Sequence, residues 1–423
     1  MIQVQQFNAV EMKNFMEPIF EHTGYRQYHT ENNLGGGWLD SQINILLIHD
    51  SGVGDFVIKS PAIKEVRRLY PTAHITLVFF PRALTLAEYC PYVDEVIPNG
   101  RECDWHSLPE IYRWNAGIAQ RLLRRRIDIV YAFTQYPSTI LLSYMSGAKE
   151  RISHKFTPED GAIECAPFYI FSSLLTIEVP KQYYGTHSVD HNLSLLDYTL
   201  HAPVADRELE VWYTPFDRAE AENIVSADGR KTYALCMGGT APQRQWAPQR
   251  YAELVAQILR KESDAKFIIL GGGPNDEMSA AIFRQSIDEK MFSERVIDLT
   301  GKTNYRQSAA LLSLCDMYIG SNTGTMHIAA AVQTPVLSLH CCAADLKIKF
   351  PDHIAYCPYH VPTITVQPKH ALPECQGSDS GRGCRIVDRP HCITQITVNT
   401  VFDAFNKLKK RVATNNLKPL FIS

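Results

Sequence analysis

Neither sign of charge dominates this chain: 42 Lys and Arg stand against 45 Asp and Glu, a formal net charge of -3 over 423 residues. A polyanion finds no global attraction to such a balance, so nucleic acid is not expected as a partner. No run approaches the roughly 20 apolar residues of a membrane-spanning helix. The first residues, MIQVQQFNAVEMKNFMEPIF, hold no basic start followed by an apolar stretch. A secretory leader is therefore not expected, and the expected place is the cytoplasm, with peripheral contact at the inner membrane surface as the furthest excursion. Short-period repeats and low-complexity tracts are missing too, which excludes solenoids and repeat arrays.

A tight C-x-x-C pair is also missing from the four cysteines that lie in a turn-rich stretch, although cysteine itself is plentiful at eleven. Cys90, Cys103, Cys165, Cys236 and Cys315 are scattered and read as small buried hydrophobes. The other six fall between Cys341 and Cys392. Among them Cys357, Cys375, Cys384 and Cys392 are separated by 17, 8 and 7 residues in a stretch holding GSDSGRG and several prolines. Four thiolates gathered there suit a structural zinc or iron, with His360 or His391 able to replace one ligand. Free thiols are the other reading.

What is present is an alternation of apolar runs and amphipathic stretches. The chain is too long for one ordinary core and divides into two domains. Residues 1–40 end in the turn-rich NNLGGGWLDSQ and read as an extension. From residue 41 to 205 the pattern reads strand 45–48, helix 60–70 with Pro61 in its first turn, strands 74–79 and 93–97, helix 111–125 and strand 127–133. A less regular stretch at 156–203 follows. Residues 206–396 repeat the alternation, with strands 233–237, 267–270, 295–298, 317–319 and 336–339 and helices 249–261, 305–314 and 325–332. Two such blocks predict an α/β protein of two Rossmann-like domains facing one another across a cleft.

Three turns at strand ends carry the candidate chemistry, because open α/β sheets build their sites there. The first lies in ILLIHDSGVGDFVIKSP, residues 45–61, where Ser51, Gly52 and Gly54 form a turn ahead of Asp55. Gly52 and Gly54 open a dinucleotide pattern, but Val57 stands where its last glycine belongs. Asp55 also occupies the place a pyrophosphate would approach, so it reads as a base, or equally as the cap of the following helix. The second turn is GSNTGTMH, residues 320–327. There Gly324 frees the backbone, Thr323 and Thr325 offer hydroxyls, His327 offers a ring nitrogen, and a helix start supplies N–H groups for a diphosphate. The third, GGTAPQRQWAPQRY at 238–251, places Thr240 and Arg244 to meet a phosphate. After the next strand GGGPNDE offers Asp276 or Glu277 to a sugar hydroxyl, or is a plain turn with exposed acids. The basic set Lys64, Arg67, Arg68, Arg121, Arg124, Arg125 and Arg126 reads as helix-end charges or as an anion site.

In order, the motifs ILLIHDSGVGDFVIKSPAIKEVRRLYP, LSYMSGAKERI, THSVDHNLSLL, RQWAPQRYAEL and DLTGKT…SAALLSLCDMYIGSNTGTMHIAAAVQTPVLSLH resemble the family 9 glycosyltransferases, the bacterial heptosyltransferase group. The resemblance runs from about residue 45 to about residue 405. It implies a fold of the GT-B type, with the nucleotide-sugar donor in the second domain, the acceptor in the first, and a final helix within 397–423 that crosses back to the first domain. It implies inverting transfer of a sugar, heptose from ADP-heptose, to a lipopolysaccharide core, another glycan, a lipid-linked or a protein acceptor, with Asp55 as the base and no cofactor for the chemistry. A donor-binding module of the same fold without transfer is the alternative. The family's lysine before the tryptophan is matched by Arg244. Its aspartate before Thr-Gly is replaced by Asn322, an amide without charge. The first two turns are expected to face each other with the transferred sugar between them.

Overall fold

The computed structural model describes residues 42–49, 51–79, 84–98, 108–155, 172–180, 187–201, 204–225, 229–239, 244–346, 352–373 and 392–423. The N-terminal extension, Thr240, Cys375, Cys384 and His391 lie outside the described residues.

The first sheet contains β1 (Asn44–His49), β2 (His74–Phe79), β3 (Glu95–Pro98), β4 (Ile129–Ala132), β5 (Glu150–His154) and β6 (Ile177–Val179), in the order β3-β2-β1-β4-β5-β6. The second contains β7 (Thr232–Cys236), β8 (Lys266–Ile269), β9 (Val296–Asp298), β10 (Met317–Ser321), β11 (Val336–Leu339), β12 (Thr363–Val366) and β13 (Leu420–Ile422), in the order β13-β12-β11-β10-β7-β8-β9. Every pairing in both sheets is parallel. Strand order reverses beside β1 in one sheet and beside β7 in the other, the positions where such sheets open a crevice. The chain therefore forms two Rossmann-like domains.

Apolar runs become strands here because both faces are covered. In β1, Ile45 and Leu47 enter one core cluster while Leu46 and Ile48 enter another. In β7, Tyr233 and Leu235 face one cluster and Ala234 and Cys236 the other. One of these clusters is shared between the domains, running from Phe56, Ile63 and Leu196 to Leu311, Met326 and Ile328. Each fully buried Leu, Ile or Phe contributes about 1.5–3 kcal/mol, so the two domains meet through an apolar seam as well as through polar contacts.

The helix after β1 runs Val53–Leu69, seven residues earlier than the expected start at 60, and Pro61 sits inside it. A proline there cannot donate to the carbonyl one turn back. The Ser60 hydroxyl donates to the Val57 carbonyl instead, at 2.7 Å, and the helix continues. Asp55 consequently lies in the first helical turn. Within the irregular stretch, Ser188–Leu200 is a helix whose N-cap is His187, its Nδ1 accepting from the Val189 N–H at 3.1 Å. The glycine turn at 271–273 leads straight into helix Pro274–Ser286, so Asp276 and Glu277 stand in a first turn rather than on a plain loop.

The final helix is Val398–Ala413. Val401, Ala404, Phe405 and Leu408 form a stripe that enters the core of the second domain with Tyr233, Val255 and Phe267. The chain then adds β13 to the edge of the second sheet. The approach to that helix is held from the RQWAPQRY motif: Trp246 Nε1 donates to the Ile396 carbonyl at 2.9 Å, and Arg250 donates to the carbonyls of Thr394 and Ile396. The connection between domains lies along helix Val53–Leu69, where Ala205 N–H donates to Glu65, Lys64 pairs with Asp206 and Glu210, and Glu210 N–H donates to Ser60. Among the described residues, no helix is long and apolar enough to cross a membrane.

Candidate active site

The first turn and the second meet directly. A Cβ built on Gly54 would lie 2.7 Å from His327 Cδ2 and 3.2 Å from the Gly324 Cα; one built on Gly324 would lie 2.9 Å from Val53 Cβ and 3.1 Å from the Gly54 nitrogen. Real side chains essentially never come so close, so glycine at both positions is what lets two helix starts touch. The sugar expected between the two turns has no room at this contact and must lie beside it. Gly324→Ala is expected to retain the fold but lose about 1–3 kcal/mol of stability through overpacking, with transfer activity falling at least as far as that of a surface control. Thermal unfolding together with initial rates would check this, and parental values for both would show that the contact tolerates a methyl group.

On the first-domain side, Asp55 is half-buried and its Oδ2 accepts from the Gly52 N–H at 3.1 Å. The capping reading of Asp55 thus holds for one oxygen, and Oδ1 stays outside that bond. Beneath the turn, the buried Lys59 places Nζ 3.0 Å from Ser51 Oγ and 3.1 Å from His49 Nδ1. The sequence offered one signal for this lysine, its place one helical turn after Asp55.

On the second-domain side, β10 ends at Ser321, the buried Asn322 follows it, and helix Gly324–Ala331 starts with Thr323 as N-cap, whose side chain makes no capping bond. The Thr323 hydroxyl lies 3.3 Å from the Tyr318 hydroxyl and 3.9 Å from Cys236 Sγ, while burial pushes that thiol up to about 11. The Met326 N–H donates to the Thr323 carbonyl at 3.1 Å, and the amides that precede it in a helix start have no intrahelical acceptor. Thr325 and His327 are buried beneath them. Burial, with the charges of His187 and Arg244 nearby, lowers His327 to about 3, so its imidazole is neutral and can donate from one nitrogen only. Its Nδ1 is buried without a hydrogen-bond partner among the described residues. Arg244 bears in the same sense on His340, which burial lowers to about 3 and whose two ring nitrogens have no partner among the described residues. Arg244 thus belongs to the same group as the second turn.

Asp276 and Glu277 join from β8. Asp276 Oδ2 accepts from the Gly272 N–H at 2.6 Å, and Oδ1 lies where a Cβ on Gly238 would fall, 1.3 Å away. Burial raises its pKa. Gly239 in turn approaches Thr323, whose Cγ2 would be 3.2 Å from a Cβ there. Asp276, the Gly238–Gly239 turn, Thr323, Gly324, Gly54 and Asp55 therefore form one line across the strand ends. Glu277 is exposed and touches only the rim of it, near Gly301.

Other expected residues are committed elsewhere. Lys64, Arg67, Arg68 and Arg125 pair with Asp206 and Glu210, with Asp94, with Glu65 and with Glu95 respectively, so an anion site on them is not supported. Cys357 and Cys392 are buried thiols in different settings: Cys392 packs with Ala343 and Ala371, and the Cys357 carbonyl accepts from His187 Nε2 at 2.9 Å. Burial pushes the Cys357 thiol up to about 12. Among the described residues, no group of three or more His, Cys, Asp or Glu is arranged to hold a metal ion.

Comparison with known proteins identifies the family and the fold. The sequence profile described as glycosyltransferase family 9 (heptosyltransferase) matches residues 116–356. Lipooligosaccharide heptosyltransferase 2 of Haemophilus ducreyi is 32% identical over 306 residues, covering 69% of this chain and 81% of that protein. Lipopolysaccharide heptosyltransferase 3 of Escherichia coli is 22% identical over 297 residues, 68% of this chain and 79% of that one. In fold, the family 9 glycosyl transferase of Veillonella parvula superposes with a TM-score of 0.67 at 18% identity, over 88% of this chain and 97% of that one. The ADP-heptose lipopolysaccharide heptosyltransferase II of Escherichia coli superposes with a TM-score of 0.63 at 18% identity, over 87% and 99%. With the profile matched over more than half of its length, the chain belongs to glycosyltransferase family 9 and is a glycosyltransferase of the GT-B fold.

Proposed function

We propose that the chain is an inverting transferase that moves heptose from ADP-heptose to the lipopolysaccharide core or a related glycan or protein acceptor. The observation that carries this reading is the contact of Gly54 with Gly324 and His327, which brings Asp55, the neighbour of Gly54, beside the helix start of the second turn. The names of the relatives supply the sugar and the acceptor class.

In this reading the acceptor hydroxyl attacks the anomeric carbon from the first-domain side. As that carbon gains oxocarbenium character, the hydroxyl proton passes to Asp55. The departing diphosphate collects negative charge, which the amides of helix Gly324–Ala331, its dipole and Arg244 take up. Neutral His327 and the Thr323 and Thr325 hydroxyls supply directional hydrogen bonds, and Asp276 meets a hydroxyl of the donor. We place the enzyme in the cytoplasm, touching the inner membrane where its acceptor is lipid-linked. A zinc or iron ion on the C-terminal cysteines would act on stability and take no part in the transfer.

Asn322 favours the second reading, a donor-binding module without transfer, because an amide carries no charge to stabilise a cationic sugar. Incubating the protein with ADP-heptose and core acceptor separates the two. Acceptor-dependent release of ADP is expected. Binding of ADP-heptose seen as a raised melting temperature, with no ADP released for any core, glycan or protein acceptor, would leave only the module.

A further inference from the structure

We propose that Lys59 is a positioning residue of the transfer reaction: its buried ammonium holds the Ser51–Gly52 turn in the shape in which the Gly52 N–H grips the Asp55 carboxylate. This deepens, and rests on, the reading of Asp55 as the base.

Lys59 lies four residues beyond Asp55 in helix Val53–Leu69, and helical side chains lean toward the helix N-terminus. Its stem runs back under the first turn and is 3% exposed. There Nζ meets Ser51 Oγ at 3.0 Å and His49 Nδ1 at 3.1 Å. These contacts tie the end of β1, the turn and the helix to one point, and those three pieces determine where Asp55 stands. The next link is the Gly52 N–H, adjacent to Ser51, on Asp55 Oδ2.

The chemistry of the partners admits little slack. An ammonium only donates, so His49 Nδ1 must accept, and the ring proton sits on Nε2. That ring is itself wedged between aromatic neighbours, 5.4 Å from Phe56 and 5.1 Å from Phe79 by centroids. Phe56 follows Asp55 directly, so movement of the imidazole would press on the base. Burial and the Lys59 charge together hold His49 well below its ordinary range, keeping it an acceptor at neutral pH.

Packing does not require the charge. The same helix buries Phe56, Val57, Ile58, Ile63 and Val66, and an apolar chain of lysine's length would fill this place without the desolvation that an ammonium suffers. What the ammonium adds, among the described residues, is directed hydrogen bonds to the end of β1 at His49 and to the turn that carries the base at Ser51.

The test compares Lys59→Met, Ser51→Ala and Ser51→Thr with Asp55→Asn, by steady-state kinetics on ADP-heptose and core acceptor and by donor binding. Lys59→Met keeps length and removes the donor. It is expected to lower kcat at least tenfold with donor KM and donor binding within about twofold, the mark of an interaction felt in the transition state alone. Ser51→Ala is expected to do the same, and Ser51→Thr, which keeps the hydroxyl, to retain most of the rate. If Lys59→Met does not fold, the serine pair decides alone. Parental kcat in Ser51→Ala, or a loss carried by donor KM instead of kcat, would overturn the proposal. Parental kcat in Asp55→Asn would instead overturn the base assignment, whatever the other variants do.

Discussion

Asp55→Asn is expected to lower kcat by about 10²–10⁴, the range a positioned general base contributes, with donor affinity and melting temperature close to parental. The expectation turns on two roles for one carboxylate, the cap that the structure shows and the base that we propose. Oδ2 accepts from the Gly52 N–H and so closes the start of helix Val53–Leu69. An asparagine oxygen can accept that bond equally well, so the cap survives the substitution. What is lost is the capacity to take a proton, because an amide is not a base near neutrality. Asp55→Ala is a poorer probe, since it removes both roles and adds a capping loss of about 0.5–2 kcal/mol. Kinetics and differential scanning fluorimetry on both variants separate the roles. An asparagine variant that transfers sugar at the parental rate would leave Asp55 a cap and nothing more.

The second large effect is acid lability. His187, His327 and His340 are buried, and burial lowers them to about 4, about 3 and about 3. Each is therefore neutral in the folded protein and takes a proton on unfolding once the pH drops below the ordinary histidine value, near 6.5. Between that value and the lowered one the unfolded chain binds more protons, so stability falls as the pH falls. The contribution is complete above about pH 6.5 and is lost down to about pH 4 or below. At pH 5 each of the three costs about 2 kcal/mol, against a total of roughly 5–15 kcal/mol for ordinary domains. His49 acts in the same direction. The carboxylates held low, Asp94, Asp206 and Asp217, titrate at lower pH and do not open this window. Asp276, raised by burial, opposes the trend in part. Urea midpoints measured from pH 7.5 to pH 5 should fall steadily. Midpoints that stay level across this range would mean that these histidines are not held neutral by the fold. Because His187 joins helix Ser188–Leu200 to the Cys357 carbonyl, and His327 sits against Gly54, acid should loosen the contact between the domains first.

The sheets were legible in the sequence because parallel strands covered on both faces read as mostly apolar runs, as residues 45–48 in β1 and 233–236 in β7 do. Helix starts were less legible. Pro61 signals a first turn to any reader of composition, and only the Ser60 hydroxyl explains why the helix passes through it. His187 is no ordinary cap, so nothing local announced the helix at 188. Nothing local told which core Val401, Phe405 and Leu408 would enter, and they pack in that of the second domain. Glycine at 54 and 324 showed that something comes close to the backbone. That the visitor is the other glycine turn, and not a ligand, depends on how the two domains meet, which spacing along the chain does not encode. The arginines and lysines after residue 60 were likewise ambiguous until Asp94, Asp206 and Glu210, distant in sequence, arrived beside them.

The closing strand has a consequence for how the protein is made. The last strand of the first sheet ends at Val179, whereas the second sheet takes its edge from Leu420–Ile422 and its core from the helix just before them. Domains emerging from the ribosome fold as units, N-terminal first. A nascent chain halted between β12 and Thr394 would thus present a paired first sheet joined to a second domain whose core still lies open. Trp246 and Arg250 would be waiting for carbonyls, those of Thr394 and Ile396, that arrive about 150 residues later. Partial translation products of this kind expose apolar surface of the second domain.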